Sequence, residues 1–210
     1  MRYASKRSYT WSANIAYSTG LMASDGCMQK DGRHLDLTST DTDQLKNFSQ
    51  ALNRYFYIGK KANMAGQLSY RIQFSDVAYY DFLLRAGLTP AKSKTISKIE
   101  IPDVYYADFL RGVFDGDGSC YAYMDKRWKS SYMYYITFTS ASPTFLNYLQ
   151  SSNSRIFGTS PGSIRRSRRA YILSYAKTDT RKLFTAMYHS SATLYLERKY
   201  SKLLSFTKKS

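Results

Sequence analysis

The chain has 210 residues, 43% of them hydrophobic, which is enough for one large domain or two small ones with a buried core. Lysine and arginine total 31 against 15 acidic residues, and the net charge of +16 favours nucleic acid as partner over a basic protein without a specific ligand, a ribosomal protein or a membrane-surface protein. No window approaches the ~18 consecutive apolar residues of a membrane span, and the start lacks the apolar run of a secretory signal, so we expect an intracellular protein.

The first half of the chain begins with a short apolar helix from Ile15 that ends at Asp25-Gly26. Two strands follow, at Cys27–Lys30 and Arg33–Thr40, and the Asp31-Gly32 dipeptide between them favours a tight hairpin. The remaining elements predicted for this half are a helix at Asp43–Tyr55, a strand around Lys60 and Lys61, an alternating strand at Leu68–Phe74 and a helix at Val77–Ala86.

The second half repeats this order, beginning with a helix that ends at Asp117-Gly118. Its other predicted elements are strands at Ser119–Met124 and Tyr132–Ser140, a helix at Ser142–Gln150, a basic strand from Ile164, a strand at Tyr171–Tyr175, a helix at Thr180–Tyr188 and a last basic segment at Tyr195–Leu204. The polar segment 95–103 contains Pro102 and predicts a linker. We therefore predict an α+β chain of two αββαββα repeats, at 1–96 and 105–210, joined by residues 97–104.

Small residues lie four apart in both motif helices, which places them on one helix face. They are Gly20 and Ser24 in the first helix and Gly112 and Gly116 in the second. If these helices pack against each other in parallel, Asp25 and Asp117 meet at the negative ends of the two helix dipoles. Two carboxylates there repel each other unless divalent cations convert the repulsion into coordination, and magnesium prefers such oxygen ligands.

The two motifs read STGLMASDG (Ser18–Gly26) and LRGVFDGDG (Leu110–Gly118), and the chain resembles the LAGLIDADG homing endonucleases of the monomeric, two-repeat type. Ala23 stands where the family motif has its first acidic residue, whereas Asp25 keeps the last. The resemblance implies a homing-endonuclease-like fold, with a saddle-shaped pair of antiparallel sheets over the major groove of double-stranded DNA. Family members are typically encoded within introns or inteins.

The resemblance also implies a site-specific DNA endonuclease in which Asp25 and Asp117 bind magnesium with the backbone carbonyls of Ser24 and Gly116. Manganese would substitute, and calcium would bind without supporting efficient cleavage. Metal-activated water would attack in line and cut both strands, leaving short 3′ overhangs. Lys177 looks similar to a basic residue that the family keeps near the scissile phosphate. The first repeat has Asp76 at the matching place, so Lys92, Lys94 or Arg71 are the candidates there.

Basic and polar residues on the strands predict a DNA-binding surface, because a two-stranded ribbon fits the major groove. The predicted contacts are Lys30, Arg33, His34, Lys60, Lys61, Arg71, Gln73, Lys126, Arg127, Lys129, Arg165, Arg166, Arg168 and Arg169. The alternative for the dense IRRSRR cluster is a solvated hairpin tip. The alternatives for the whole chain are an intron maturase that binds RNA, another non-cleaving binder on the same fold, and a general basic RNA-binding protein.

Overall fold

A computed structural model of the chain describes residues 7–62, 68–125, 132–192 and 194–209. The helices are α1 Ala13–Ser24, α2 Thr42–Ala51, α3 Val77–Arg85, α4 Asp103–Asp117, α5 Pro143–Phe157, α6 Lys177–Met187 and α7 Glu197–Lys208. The strands are β1 Gly26–Met28, β2 His34–Ser39, β3 Gly59–Ala62, β4 Leu68–Ser75, β5 Gly118–Met124, β6 Tyr132–Ser140, β7 Ser163–Ser167 and β8 Ala170–Ala176. The order αββαββα thus occurs twice, with α7 added at the end, and the predicted fold class is confirmed.

Each repeat forms one antiparallel sheet of four strands, in the orders β1-β2-β4-β3 and β5-β6-β8-β7. One face of each sheet is apolar and buried, as Leu35, Ile72 and Phe74 show in the first sheet. The pairing registers of the two sheets correspond, since Gly26 lies opposite Leu37 and Gly118 lies opposite Phe138. Positions in one repeat can therefore be matched with positions in the other. Within the described ranges, no helix is long and apolar enough to cross a membrane.

Several helix boundaries differ from the sequence-based prediction for local reasons. Helix α2 ends at Ala51 rather than Tyr55, because Asn53 takes a positive φ of 47° that no helix continues through. Helix α5 extends to Phe157 and ends at Gly158, a left-handed C-cap residue with φ of 63°. Helix α6 begins at Lys177, three residues before the predicted start, and the last basic segment is the helix α7.

Candidate active site

Helices α1 and α4 approach each other at two glycines. A methyl group on Gly20 would lie 2.2 Å from the Phe109 carbonyl oxygen and 2.9 Å from the Cα atom of Gly112. A methyl group on Gly112 would lie 2.2 Å from the Tyr17 carbonyl oxygen. Only glycine permits backbones to pack at this distance. The close packing brings the ends of the two helices together, where Asp25 is the C-cap residue of α1 and Asp117 is the last residue of α4.

The two motif aspartates lie side by side at these helix ends. Asp25 is the C-cap residue of α1, and its backbone N–H donates to the Leu21 carbonyl at 3.0 Å. A methyl group on Gly116, next to Asp117 in α4, would lie 3.1 Å from Asp25 Oδ2. The side-chain amide of Gln44 in α2 donates to the same oxygen at 2.5 Å. An open cleft of about 280 Å³ exposes Asp25, with Gln44, Gly116 and Arg198 among its lining residues.

The electrostatics of the pair agree with this proximity. Burial, together with the smaller effect of the Asp25 charge, raises the pKa of Asp117 to about 6. Burial also raises the pKa of Asp25, while the hydrogen bond from Gln44 and the charges of Lys199 and Lys92 oppose that rise. A buried carboxylate whose pKa is also raised by a neighbouring carboxylate gains from a bound cation.

Lys199 of α7 provides a buried positive charge beside Asp117. Its ammonium donates to four carbonyl oxygens at the end of α4, those of Phe114 (2.6 Å), Asp115 (2.8 Å), Gly116 (3.0 Å) and Gly118 (2.7 Å). These carbonyls are the negative end of the α4 dipole, so the lysine caps the helix. Burial lowers the pKa of Lys199 to about 8, and Asp115, Asp25 and Asp117 oppose that change.

Lys92 occupies the related place in the first repeat. Its ammonium donates to the Gly26 carbonyl at 2.6 Å, as Lys199 donates to the matching carbonyl of Gly118. Burial lowers the pKa of Lys92, whereas the charges of Asp117, Cys27 and Asp25 raise it. Each motif thus has a buried lysine on its glycine carbonyl, and both lysines act electrostatically on both aspartates.

Helix α7 is held in place by hydrogen bonds that cross between the repeats. The buried carboxylate of Asp115 accepts from the Tyr17 hydroxyl of α1 at 2.8 Å and from the Leu196 backbone N–H at 2.9 Å. Asn47 of α2 donates to the Tyr195 carbonyl at 2.8 Å. These bonds fix the start of α7, which sets the position of Lys199. Asp115 occupies the motif position that Ala23 holds in the first repeat, so this anchoring belongs to the second motif alone.

The oxygen atoms at the site fit a hard divalent cation. Within the described part of the chain, no three His, Cys, Asp or Glu side chains form a metal-binding group. The available ligands are the carboxylates of Asp25 and Asp117 and the neighbouring backbone carbonyls, a set of oxygens that suits magnesium because it commonly uses only one or two carboxylates. One oxygen of Asp25 is engaged by Gln44, and the Gly116 carbonyl accepts from Lys199. A cation at the predicted carbonyl of Gly116 would share that oxygen with an ammonium.

The other basic residues considered from the sequence lie on elements other than α1 and α4. Lys177 is the first residue of α6, directly after β8, and is half-buried. Lys94 is exposed in the short 3-10 helix Lys92–Lys94, and Arg71 lies within β4. Of the three candidates for the first repeat, Lys92 is the one whose charge acts on the aspartates. Lys199 lies within the last basic segment, and sequence reasoning missed it.

The predicted DNA-contact residues of the first repeat lie on three different parts of its sheet. Lys30 and Arg33 are exposed at the β1–β2 turn, where the Asp31 carboxylate pairs with His34. His34, Lys61, Arg71 and Gln73 project from the open face of the sheet, because the register places them with Asp36 rather than with the core residue Ile72. Lys60 pairs with Tyr70 and is directed to the opposite face at the sheet edge.

In the second repeat, Arg165, Arg166, Arg168 and Arg169 are all exposed at the β7–β8 hairpin. Arg165 shares the open face with Ile172 and Thr139, whereas Arg166 pairs with Tyr171 and projects from the other side at the edge strand. Arg168 is in the turn, with a positive φ of 50°. Three further predicted contacts, Lys126, Arg127 and Lys129, lie outside the described residues.

No protein-family model matches this sequence, and no match is found among curated proteins. The structure is similar to the homing endonuclease I-WcaI bound to its DNA recognition sequence, with a TM-score of 0.64 and 15% identity over 93% of this chain and 88% of that one. For the LAGLIDADG meganuclease I-AabMI bound to uncleaved DNA, the TM-score is 0.62, with 14% identity over 92% of this chain and 89% of that one.

A third similar structure is full-length DUF199/WhiA from Thermatoga maritima, with a TM-score of 0.61 and 14% identity. The match covers 96% of this chain but 62% of WhiA, so the chain spans less than two thirds of that protein. The N-terminal LAGLIDADG domain of DUF199/WhiA also matches by itself. At these identities the similarity shows the fold, which is that of the LAGLIDADG homing endonucleases.

The raised pKa of Asp117 predicts an effect on stability. The folded protein holds a proton that the unfolded chain has released between about pH 4 and pH 6, so the penalty for ionising Asp117 grows across that window and is complete above pH 6. Asp117→Asn removes it. Asp117 is surrounded by protein atoms on one side and open to solvent on the other, so solvent screening reduces the effect. We expect the metal-free variant to be more stable than the parent at pH 7.5 by about 1 kcal/mol, and equal to it near pH 4.

Chemical denaturation in EDTA at both pH values measures this difference. Asp31→Asn is the matched control, since hydrogen bonds from His34 lower the pKa of Asp31 to about 2 and its replacement should not stabilise the protein. An Asp117→Asn variant that is less stable than the parent at pH 7.5 would contradict the raised pKa of Asp117.

Proposed function

We propose that this chain is a site-specific, metal-dependent endonuclease that cleaves double-stranded DNA. The observation that supports it most directly is the pairing of Asp25 and Asp117 at the ends of two closely packed helices, with Lys92 and Lys199 beside them. The fold is shared with a homing endonuclease and a LAGLIDADG meganuclease whose structures were solved bound to DNA. Both motifs belong to one chain, so one molecule would provide both carboxylates as a monomer.

Each group at the site has a chemical role in phosphodiester hydrolysis. Bound magnesium would supply a hydroxide-like nucleophile and neutralise charge on the phosphate. Asp25 and Asp117 would hold the cation, and Gln44 would fix the orientation of the Asp25 carboxylate. Lys92 and Lys199 would offset the charge of the carboxylates and stabilise negative charge that develops on the phosphate.

A non-cleaving nucleic-acid binder, such as an intron maturase, is the competing function on the same fold. Binding of a polyanion is weakened by carboxylates at the centre of the contact surface. The pair also destabilises the metal-free fold, as the raised pKa of Asp117 indicates. These two disadvantages are offset if the carboxylates hold a metal, and that consideration favours the nuclease.

Selection from a randomised duplex library tests the proposal. The purified chain is incubated with the library in magnesium, in manganese and in calcium, and both the bound and the cleaved duplexes are sequenced. We expect one long site cut on both strands with short 3′ overhangs in magnesium and manganese, and bound but largely uncut duplexes in calcium. Sequence-specific binding without cleavage in any of the three metals would identify a binder instead.

The two lysines provide a further prediction about catalysis. Lys199→Met should lower cleavage at saturating DNA by about 10²-fold, in the range found when a charge-stabilising donor is lost from an active site. It should also lower stability by about 1–3 kcal/mol, because four carbonyls lose their donor. Lys177→Met is the matched comparison and should retain activity. Single-turnover cleavage and chemical denaturation of both variants measure these effects. Loss of cleavage in Lys177→Met alone would indicate that Lys177, rather than Lys199, acts in catalysis.

A further inference from the structure

Three tyrosines form a stacked row on the open face of the second sheet. Tyr135 of β6 stacks on Tyr121 of β5, with ring centroids 5.1 Å apart and planes 14° apart. It also stacks on Tyr123, with ring centroids 5.9 Å apart and planes 7° apart. Tyr121 is 38% exposed and Tyr123 is 45% exposed, although both belong to a regular strand. This tyrosine row is therefore a preformed aromatic surface that the protein core does not use.

The matched positions of the first sheet carry a different chemistry. The corresponding pairing registers place Gln29 and His34 where the second sheet has Tyr121 and Tyr135, and the first hairpin turns before it reaches a counterpart of Tyr123. Gln29 donates to the Asp36 carboxylate at 3.3 Å, and His34 pairs with Asp31. One open face thus presents hydrogen-bonding groups, and the other presents aromatic rings. The difference lies between equivalent positions, so it is specific to the two halves of this chain.

The geometry of the tyrosine row limits what it can contact. Tyr135 is half-buried and stacks on both of its neighbours, so this central ring is accessible mainly at its edge and hydroxyl group. The far strand of the same sheet carries the exposed Arg165, and the adjoining turn carries Arg168 and Arg169. This combination of apolar ring edges with positive charge elsewhere on the same sheet suits a polyanion that displays small apolar groups in a groove. In duplex DNA those groups are the C5 methyls of thymine in the major groove.

We infer that the two sheets read their half-sites by different chemistry, and that the second sheet recognises thymine methyl groups through the tyrosine row Tyr121, Tyr135 and Tyr123. The inference rests on the proposed binding of duplex DNA, but not on cleavage. The first sheet reads hydrogen-bonding edges of bases with residues such as His34 and Gln73. The half-site under the second sheet is accordingly thymine-rich and sensitive to loss of methyl groups.

The probe for a test is a duplex selected for binding from a randomised library, in EDTA, so that no cleavage occurs. Thymines are replaced by uracil in one half at a time, which removes the methyl groups and leaves the base-pairing edges intact. We expect the dissociation constant to rise about fourfold for each methyl group lost in one half, and to change less than twofold for the other half. Measurement by fluorescence anisotropy at one fixed salt concentration is sufficient.

The protein variants follow from the first sheet. The double variant Tyr121→Gln/Tyr135→His introduces the residues that the matched positions of the first sheet carry, so a folded strand is expected, and thermal unfolding verifies it. It should no longer distinguish thymine from uracil in the sensitive half. Tyr135→Phe keeps the ring edge and should retain the discrimination. Gln73→Ala on the first sheet should weaken DNA binding without changing the discrimination between thymine and uracil.

Three results would overturn the inference. Equal affinity for thymine and uracil duplexes in both halves would remove the methyl contact. Tighter binding of the separated single strands, lost in the double variant, would make the tyrosine row a base-stacking site instead. Enrichment of no duplex sequence at all would exclude readout by either sheet. Failure of the nuclease proposal is seen separately, as absence of cleavage in magnesium by a protein that passes this binding test.

Discussion

Asp117→Asn is expected to reduce cleavage of the selected duplex by at least about 10³-fold while leaving its binding within a few fold. The asparagine keeps the size of the side chain and one oxygen, but it removes the negative charge that a divalent cation requires. The variant should not lose stability, because burial and the charge of Asp25 destabilise the ionised form of the native Asp117 carboxylate. Single-turnover cleavage in magnesium and binding in calcium measure the two quantities on one preparation.

Asp25→Asn should have a comparable effect on cleavage, since Asp25 lines the cleft at the helix ends and its charge acts on Asp117. Asp43→Asn is the matched control, because Asp43 is exposed in the first turn of α2 and pairs with Lys46 at the surface. Its cleavage rate should equal that of the parent. Unchanged cleavage in Asp117→Asn would remove the carboxylate pair as the metal site, and the nuclease proposal would lose its supporting observation.

The pH profile of the parent offers an independent measure of the same carboxylate. Asp117 must be ionised to hold a cation, and its pKa of about 6 places the loss of activity well above the usual range of an aspartate. Cleavage at limiting magnesium should therefore fall about tenfold for each pH unit below 6. A higher magnesium concentration should move the midpoint to lower pH, because the metal competes with the proton.

The repeated order of helices and strands could be predicted because it depends on local patterns. The period-two alternation around Ile72 and the Asp-Gly ends of both motif helices are visible in the sequence. The end of α2 at Ala51 could not be predicted in the same way, since it depends on the left-handed conformation of Asn53. Asparagine can adopt that conformation, but it also occurs within helices, so its presence in the sequence does not fix where the helix ends.

The two lysines at the candidate site also differ in how far the sequence could predict them. Lys92 was one of three candidates, because the sequence cannot show which basic side chain reaches a carbonyl 66 residues away. Lys199 could have been found, since Leu196, Lys199 and Leu203 are spaced as one helix face, and a lysine in line with buried leucines is unusual. Gln44 carries no such signal, because its bond to Asp25 depends on how α2 packs against α1.

Gly112→Val is expected to have the largest effect on the fold of any single change at the helix interface. The first carbon of the new side chain would lie 2.2 Å from the Tyr17 carbonyl oxygen and 3.0 Å from the Cα atom of Gly20, both of them backbone atoms that cannot move without separating α1 from α4. We expect a loss of at least about 3 kcal/mol in the free energy of unfolding, as for other overpacked cores. Chemical denaturation measures it directly.

Gly158→Ala separates packing from backbone strain. Gly158 has a positive φ of 63°, and no atom lies within 4 Å of a methyl group placed on it, so the alanine variant should lose only about 1 kcal/mol. The Gly112 variant thus tests the close packing of two helices, and the Gly158 variant tests the backbone conformation alone. If Gly112→Val folds with the stability of Gly158→Ala, the helices tolerate separation, and the positions of Asp25 and Asp117 would then not depend on their contact. If it folds only weakly, cleavage should fall further than stability alone explains, because carboxylates moved apart hold a shared cation less well.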